Sequence, residues 1–467
     1  MPEQSLEQLL QEHPDPLHLM RHRQTGPNVY PVVLPEYTNW RDEQRAWQES
    51  CVLFNQSYHM ADLHVRGPEA FEMLNSIGVN TFKNFRPGVA KQFVTCNYDG
   101  YVVGDAILFY LDDEHFNVVG REPALHWTHF HADTGNWKVE AEYDERSASR
   151  PDPLNRKTFR FQLQGPTASN IIEKVTGAPV PEVKFFQMEW LKIAGVDVRA
   201  LRHGMAGQAG FELFGEWQHL DRVLETLIEA GQEFGLHLSG GRAYSSNTLE
   251  SGWIPCPLPA IFTGEKMKPY REWLPASSFE ATASLGGSFN PARVEDCYLT
   301  PWDLGYGQFV KFDHDFIGRQ ALEKMAGEKH RKKVTLALEN DDVLKVIGSA
   351  LFGTGSDRAK FIEFPSAVYS LYPYDKVTAN GRDIGISTWI GYSYNQSKML
   401  TLATIEEEFA TPGTEVTLVW GEEGGGTAKP RVERHVQAEI RAIVSAVPYA
   451  PAAREIYADA GWRKRSA

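Results

Sequence analysis

The chain has 467 residues, of which 42% are hydrophobic and 23% charged, a composition typical of folded globular proteins with more than one core. Its formal net charge of −14 argues against a nucleic acid or an anionic membrane surface as the main partner. The four cysteines have neither disulfide-type nor metal-type spacing, and the acidic, proline-interrupted N-terminus does not resemble a signal peptide. We therefore expect a cytoplasmic protein without a membrane span, whose oligomeric state the sequence leaves open.

Two segments share the order strand, Gly-Pro turn and helix. They are "HVRGPEAFEMLNSIG" (64–78) and "KTFRFQLQGPTASNIIEKVTG" (157–177), and their recurrence indicates an internal duplication of two lobes. Between them, "YVVGDAILFYL" (101–111) and "FNVVG" (116–120) are rich in β-branched and aromatic residues. This pair is predicted to form a hairpin.

The pattern changes after the charged run "EKHRKK" (328–333). From Val334 onward, segments such as "VTLALE", "DIGISTWIG" and "EVTLVWG" alternate with turns that contain Gly, Pro and Asn. They predict a small all-β unit, either a barrel or a sandwich. We accordingly divide the chain into residues 1–330, with two lobes for cofactor and substrate, and residues 331–467, a β barrel with a tail.

Two histidine motifs suggest cofactor or metal chemistry. "DLHVRG" (62–67) matches the short DxHxxG pattern that places a histidine under cobalamin, but it is also a half-buried strand with His64 on its wet face, which we favour. "HWTHFH" brings together His126, His129 and His131 without the Cys or Glu-x-x-His partner that would complete a site. We predict no metal centre.

The stretch "LRHGMAGQAGFELFG" (201–215) contains Gly204, Gly207 and Gly210, which would let the backbone approach a flat ligand closely. Glu212, a lone carboxylate between apolar neighbours, could accept two N–H donors from a heterocycle. A glycine-rich turn with an exposed glutamate explains the same residues equally well, so both interpretations stay open.

A second unusual stretch is "RAYSSNTLESGWIP" (242–255). Ser245 and Ser246 are suitable N-cap residues, and Gly252 with Pro255 marks the end of a helix. This places Tyr244 just ahead of the cap, where it is either a packing residue or a hydroxyl aimed at a ligand.

Taken together, these segments resemble the aminomethyltransferase family, the T-protein of the glycine cleavage system. The resemblance extends from about Asn39 to Val447 and is carried by "RHGMAGQAGFELFG", "TLESGWIP" and "YLTPWDLGYGQFVKFDHDFIGRQAL". It implies an α+β fold in which three lobes form a ring around a channel for tetrahydrofolate, with a β barrel as the last lobe.

Two positions depart from the T-proteins. The family's acidic pair is here Gly104-Asp105, which implies that the carboxylate linked to aminomethyl transfer is lost, and Tyr244 falls near a family arginine. The chain is more similar to the branch of tetrahydrofolate-dependent aryl O-demethylases, which act on vanillate or syringate. Further segments that carry this resemblance are "NVYPVV", "FNQSYHM" and "GYSYN".

The resemblance implies roles for seven residues. Gln164, Glu212 and Trp253 would hold tetrahydrofolate. Tyr30, His59 and Arg121 would bind an aromatic acid, and which of them meets its carboxylate and which its 4-hydroxyl stays open. Tyr244 would protonate the departing phenol, since its ordinary pKa near 10 suits that group.

The implied reaction moves the methyl group of a vanillate-, syringate- or 3-O-methylgallate-type acid to N5 of tetrahydrofolate, in the catabolism of lignin-derived aromatics. Whether one or two methoxy groups flank the phenol is not decided. Two alternatives remain: a folate-linked demethylase or aminomethyltransferase with a sulfonium or amine donor, and a non-catalytic folate-binding protein.

Overall fold

The computed structural model describes residues 3–26, 30–205, 210–255, 257–426, 429, 431–451 and 453–454. It is a mixed α+β structure, which confirms the expected fold class. Within these residues, no helix combines the length and apolar character needed to cross a membrane.

The helices of the described chain, in order, are α1 (Leu6–Glu12), α2 (Pro16–His22), α3 (Trp40–Glu49), α4 (Ala70–Ile77), α5 (Glu122–Thr134), α6 (Ala168–Thr176), α7 (Leu220–Gly231), α8 (Gly241–Ser251), α9 (Lys268–Trp273), α10 (Phe279–Thr282), α11 (Arg319–Met325) and α12 (Asn340–Phe352). The strands are β1 (Cys51–Asn55), β2 (Ala61–Arg66), β3 (Val89–Cys96), β4 (Val102–Asp112), β5 (His115–Gly120), β6 (Glu140–Asp144), β7 (Thr158–Gln164), β8 (Met188–Ile193), β9 (Val196–Arg202), β10 (Gly210–Glu216), β11 (Leu236–Leu238), β12 (Leu285–Gly286), β13 (Lys332–Leu338), β14 (Tyr372–Pro373), β15 (Asp375–Ala379), β16 (Arg382–Ser393), β17 (Lys398–Ile405), β18 (Glu415–Trp420) and β19 (Ala438–Ser445).

Three large sheets organise most of these elements, and β12 and β14 form a separate two-stranded sheet. One has six strands in the order β11-β1-β7-β10-β9-β8, and a second has five in the order β3-β4-β5-β2-β6. The third is a closed barrel, β13-β17-β16-β15-β18-β19. Each supports its own large hydrophobic core, so the burial of apolar side chains is divided among three units.

Both predicted strand, Gly-Pro turn and helix units are present, β2 with α4 and β7 with α6. Their turn glycines, Gly67 and Gly165, have φ angles of 127° and 132°. A Cβ there would lie 2.4 Å from the carbonyl oxygen of Lys138 and 2.5 Å from that of Ser50, respectively. The two turns therefore need glycine for the same two reasons, backbone conformation and close approach.

The predicted hairpin is confirmed, because β4 and β5 pair antiparallel. The expectation that His64 lies on a wet strand face is wrong. Its strand, β2, is paired on both sides, by β5 and β6, and only 9% of His64 is exposed. The His64 Nδ1 atom lies 3.1 Å from His115 Nε2.

The predicted C-terminal barrel is also confirmed, and its first strand begins at Lys332. The expectation that this part is all-β is wrong, because α12 follows β13 directly. Val343, Val346 and Ala350 are buried at helical spacing on α12, which packs on β17 and β19. The division of the chain between residues 330 and 331 stays a prediction.

Helix α8 begins earlier than its sequence suggests. Its N-cap is Gly240, so Tyr244 lies inside the helix and not ahead of it. The Ser245 and Ser246 hydroxyls donate back to the carbonyl oxygens of Arg242 and Ala243, and neither caps the helix. The predicted end is correct, because Gly252 is left-handed with φ 72°.

Distant backbone and side-chain groups replace the expected serine cap. The amides of Gly241 and Arg242 donate to the carbonyl oxygens of Leu34 and Pro35, and the Gly240 amide donates to Glu43 Oε2. The first amides of α8 are thus satisfied by residues about 200 positions earlier in the chain. This arrangement turns Tyr244 inward toward β1 and the N-terminal segment.

Helix α5 packs directly on strand β4 at Gly104. A Cβ at Gly104 would lie 2.7 Å from the backbone nitrogen of Ala124 and 3.2 Å from its Cα. The strand and the first turn of the helix can approach this closely only because residue 104 has no side chain.

We expect Gly104→Ala to lower the free energy of unfolding by about 1–3 kcal/mol, because the new methyl group must displace helix backbone. Chemical denaturation of this variant beside the parent protein measures the loss. Gly348→Ala, on an α12 position with open space around it, is the matched control and should stabilise by roughly 0.5–1 kcal/mol. Parent-like stability of Gly104→Ala would show that the helix and strand can separate at little cost.

Candidate active site

Three predicted residues meet in one aromatic cluster. Tyr244 of α8 lies edge-on to Tyr30 of the N-terminal segment, with ring centroids 5.0 Å apart, and to His59 of the β1–β2 connection, at 4.7 Å. Tyr30 and His59 are 4.9 Å apart. All three side chains are half-buried, and Tyr30 also lines the cavity described below; we call this region the cleft.

The Tyr244 hydroxyl is held by polar neighbours. It lies 2.8 Å from His59 Nε2 and accepts a hydrogen bond of 3.2 Å from Gln56 Nε2. The same Gln56 nitrogen lies 2.7 Å from the sulfur of Met205. Gln56 was missed in the sequence, where its neighbour His59 was the more conspicuous residue.

This tyrosine and histidine are both neutral near pH 7. Desolvation raises the pKa of Tyr244 well above its ordinary value, although the Gln56 amide and Arg121 oppose the shift. Desolvation, with the nearby charges of Arg121, Arg146 and Arg156, lowers the pKa of His59 to about 3. The pair therefore offers a protonated phenol beside an uncharged imidazole, but the expected match between the pKa of Tyr244 and that of the departing phenol is not found.

Arg121 connects this cluster to the rest of the cleft. It is the N-cap residue of α5, directly after β5. Its charge lowers the pKa values of His59, Tyr244 and Asp105, which places the guanidinium within electrostatic reach of all three. An anionic ligand in the cleft would meet this cation.

Glu212 is buried and already ion-paired. Its Oε1 contacts Arg160, whose guanidinium also binds Asp62 Oδ1 at 2.9 Å, and its Oε2 lies 3.4 Å from His203 Nδ1. Burial alone would raise the pKa of Glu212, but Arg160 and His203 hold it below its usual range. Of the two interpretations left open, the exposed glutamate is excluded. Gly204 and Gly210 flank the stretch, while Gly207 lies outside the described residues.

Amide side chains beside Glu212 keep unused hydrogen-bonding atoms. Gln164 Nε2, Gln162 Oε1 and Gln56 Oε1 are buried without a partner among the described residues. Gln162 pairs with Glu212 across β7 and β10, and the other atom of Gln164, Oε1, accepts from the Met205 amide at 2.6 Å. Such orphaned donors and acceptors fit the N–H and C=O edge of a pterin.

The alternation of β7 could have revealed Gln162 and Arg160. In "TFRFQLQ" the polar residues Arg160, Gln162 and Gln164 recur every second position of a strand that is buried almost throughout. Charged and amide side chains on one face of a buried strand need partners or a ligand.

Trp253 directly follows the left-handed Gly252 at the end of α8. Its Nε1 donates to Asp105 Oδ2 at 2.9 Å, and the Tyr306 hydroxyl donates to the same oxygen at 2.7 Å. The sequence comparison with the T-proteins treated Gly104-Asp105 as a lost carboxylate. The structure shows that Asp105 is a buried carboxylate that accepts a hydrogen bond from Trp253, whereas the approach of α5 leaves no room for a side chain at position 104.

A cavity of about 320 Å³ lies beside Tyr30, between the N-terminal segment, the start of α8 and the barrel. Its lining includes Phe364, Trp389 and two cations, Arg242 and Arg431. The histidines His126, His129 and His131 lie elsewhere, on α5, with His126 paired to Glu280. Across the described residues, no three His, Cys, Asp or Glu side chains are grouped as metal ligands.

The two sheets, the closed barrel and this cleft together define a protein of the aminomethyltransferase fold class. The crystal structure of the glycine cleavage system aminomethyltransferase T from Bartonella henselae superposes with a TM-score of 0.60 over 95% of this chain and 97% of that one, at 17% identity. The family model described as the GCVT N-terminal domain matches residues 24–256.

Sequence relatives narrow this assignment. The chain is 55% identical to a syringate O-demethylase of a Sphingobium species over 463 residues, 99% of each protein. It is 30% identical to a sesamin methylene transferase of a Sinomonas species over 82% of each, and 26% identical to an aminomethyltransferase of a Thermoanaerobacter species. The chain therefore belongs to the GCVT aminomethyltransferase family.

We expect Glu212→Ala to lower the free energy of unfolding by about 3–5 kcal/mol, because it leaves the buried Arg160 guanidinium with only part of its partners. Thermal melting of the variant measures this loss. Glu216→Ala, at the exposed end of the same strand, is the matched control and should melt like the parent. If both variants melt alike, the ion pair does not stabilise the fold.

Proposed function

We propose that the chain is a tetrahydrofolate-dependent aryl O-demethylase that moves the methyl group of a methoxylated hydroxybenzoate to the reduced folate. The observation that carries this proposal is the neutral Tyr244–His59 pair near Arg121, which Gln56 and Met205 connect to Gln164, whose Nε2 has no partner among the described residues. A proton donor, a cation and a polar heterocycle site are thereby close together. The 55% identity to a syringate O-demethylase over the whole chain supports the same activity.

Gln164, Glu212 and Trp253 are the residues proposed to hold tetrahydrofolate. Gln164 offers an unpartnered N–H, Glu212 a carboxylate, and Trp253 a half-buried ring face. When bound, the folate would supply the N5 lone pair that accepts the methyl group.

The aromatic acid is proposed to lie against Tyr30, His59 and Tyr244. Arg121 would attract its carboxylate, and the edges of the aromatic cluster would contact the ring. Tyr244 would give its proton to the ether oxygen as the C–O bond breaks, since a neutral phenol is a better leaving group than a phenolate. Gln56 and His59 would then stabilise the Tyr244 oxygen.

Aminomethyl transfer is the less favoured alternative because Gly104 stands where the T-proteins have the acidic residue. The approach of Ala124 leaves no room for a carboxylate at that position. We further propose a cytoplasmic location and a two-part chain, residues 1–330 for both ligands and residues 331–467 for the barrel. The three described cysteines are buried and free, as in a reducing compartment.

A substrate panel tests the proposed function. Syringate, vanillate and 3-O-methylgallate are each incubated with the protein and tetrahydrofolate, beside sesamin, a trimethylsulfonium salt and dimethylglycine. We expect the phenol and 5-methyltetrahydrofolate in equal amounts from at least one methoxybenzoate. Turnover only with the sulfonium or the amine, or folate binding without any turnover, would establish one of the alternatives.

We expect Tyr244→Phe to lower kcat by about 10²–10⁴, the usual worth of a positioned acid, while the fold and the affinity for the aromatic acid remain. Because the interaction is made mainly in the transition state, kcat and kcat/KM should fall together. Single-turnover methyl transfer and a melting curve measure the two effects separately.

Tyr394→Phe, a partly exposed tyrosine against Trp40, is the control for this substitution. The loss in Tyr244→Phe should also shrink for substrates whose ring substituents make the phenol a better leaving group. Near-normal chemistry in Tyr244→Phe would leave the proposed reaction without its acid.

A further inference from the structure

Asp105 has a buried carboxylate that the proposed reaction does not use. It lies on β4 and is only 8% exposed. Three side chains donate to its Oδ2: Gln92 Nε2 at 2.8 Å, Trp253 Nε1 at 2.9 Å and the Tyr306 hydroxyl at 2.7 Å. The donors come from β3, from the segment after α8 and from the segment before the barrel, so one oxygen joins three distant parts of the chain.

The donors on Asp105 are all uncharged. No described cation forms an ion pair with it, and the charges of Lys333 and Arg121 act on it only through space. Burial raises the pKa of Asp105, and the hydrogen bonds from Trp253 and Tyr306 are the main opposing influences. The carboxylate therefore depends on these hydrogen bonds, and Trp253 supplies one of them.

The orientation of Trp253 depends equally on Asp105. An indole has a single N–H donor, so the bond to Asp105 fixes which edge of the ring points inward. Gly252 precedes Trp253 in a left-handed conformation at the helix end, where no helical turn constrains the side chain. Without an acceptor at residue 105, the indole N–H would lose its hydrogen bond, and only the packing of the ring against the neighbouring hydrophobic core would hold its orientation.

We propose that Asp105 is a positioning residue for the reduced folate, which holds the Trp253 indole so that its open face forms one wall of the pterin site. This inference rests on the proposed function, in which Trp253 contacts the folate. Asp105 itself acts through Trp253 and takes no part in methyl transfer.

The convergence of three donors explains why residue 105 is a carboxylate and not an amide. An ionised carboxylate oxygen accepts several hydrogen bonds readily, whereas an amide oxygen is uncharged and accepts them more weakly. Asp105→Asn therefore weakens the three bonds to this oxygen, at nearly constant side-chain volume.

A double-mutant cycle on ligand binding tests the proposal. Calorimetry measures the affinity for 5-formyltetrahydrofolate, a stable reduced folate, in the parent, Asp105→Asn, Trp253→Phe and the double variant. Phenylalanine keeps an aromatic ring and removes the N–H. We expect each single variant to bind about 10- to 100-fold more weakly, the worth of a hydrogen bond to a charged group, and the double variant to bind no more weakly than the worse single variant.

Gln92→Met is the matched control, since it removes a donor from the same oxygen without touching Trp253, and it should weaken folate binding less than either single variant. Affinity for 3,4-dihydroxybenzoate should be unchanged in all variants, which shows an intact cleft. Additive losses in the double variant, or parent-like affinity in Trp253→Phe, would overturn the role of Asp105. If Asp105→Asn does not fold, Asp105→Ser, which also removes the carboxylate, takes its place in the cycle.

The two proposals fail in different ways. A parent protein that does not bind the reduced folate contradicts the proposed function itself. A parent that binds it, with single variants that bind equally well, contradicts only the role of Asp105.

Discussion

The arrangement of the cleft depends on the two ion pairs that the buried Arg160 guanidinium forms. The guanidinium extends from β7 in the six-stranded sheet to Asp62 on β2 of the five-stranded sheet, and it also pairs with Glu212 of β10. Phe109 and Phe214 lie against it, with its central carbon 5.2 and 4.8 Å from their ring centroids. A charge this deeply buried is tolerated only while both carboxylates remain in place, so the two sheets are held in one relative position. The candidate folate residues Gln164 and Glu212 lie beside this junction.

Local signals in the sequence were sufficient for much of the fold. The Gly-Pro turns with their flanking strands and helices, the β4–β5 hairpin and the barrel strands were predicted because each depends on residues within about a dozen positions. The sequence does not reveal helix α12, because its residues lie between segments with strong strand patterns. The start of α8 was misplaced because its first amides are satisfied by Leu34, Pro35 and Glu43, far away in the chain. No local pattern reports such partners.

For the candidate site, too, the sequence predicts some features and leaves others unseen. The resemblance to the family supplied Tyr30, His59 and Tyr244, and the structure brings them into direct contact. The resemblance could not show that Glu212 is ion-paired, because Arg160, the partner of Glu212, lies 52 residues away in the chain. Asp62, the second partner of Arg160, lies 98 residues from that arginine. The sequence does not indicate Gln56, or a role for Asp105, for a similar reason, since their significance lies in what they contact. A position in a motif identifies a residue type, whereas hydrogen-bond partners across sheets determine its charge state and orientation.

The contact between Gly104 and Ala124 also bears on how such a protein could have arisen. Arg121 is the N-cap residue of helix α5, so the close packing of this helix on β4 also determines where the cation lies in the cleft. A carboxylate reintroduced at position 104 would push the helix away and move Arg121 with it. An acid at position 104 and an arginine placed as Arg121 is here therefore exclude each other, so a change between the two arrangements requires movement of a helix and not only a single substitution.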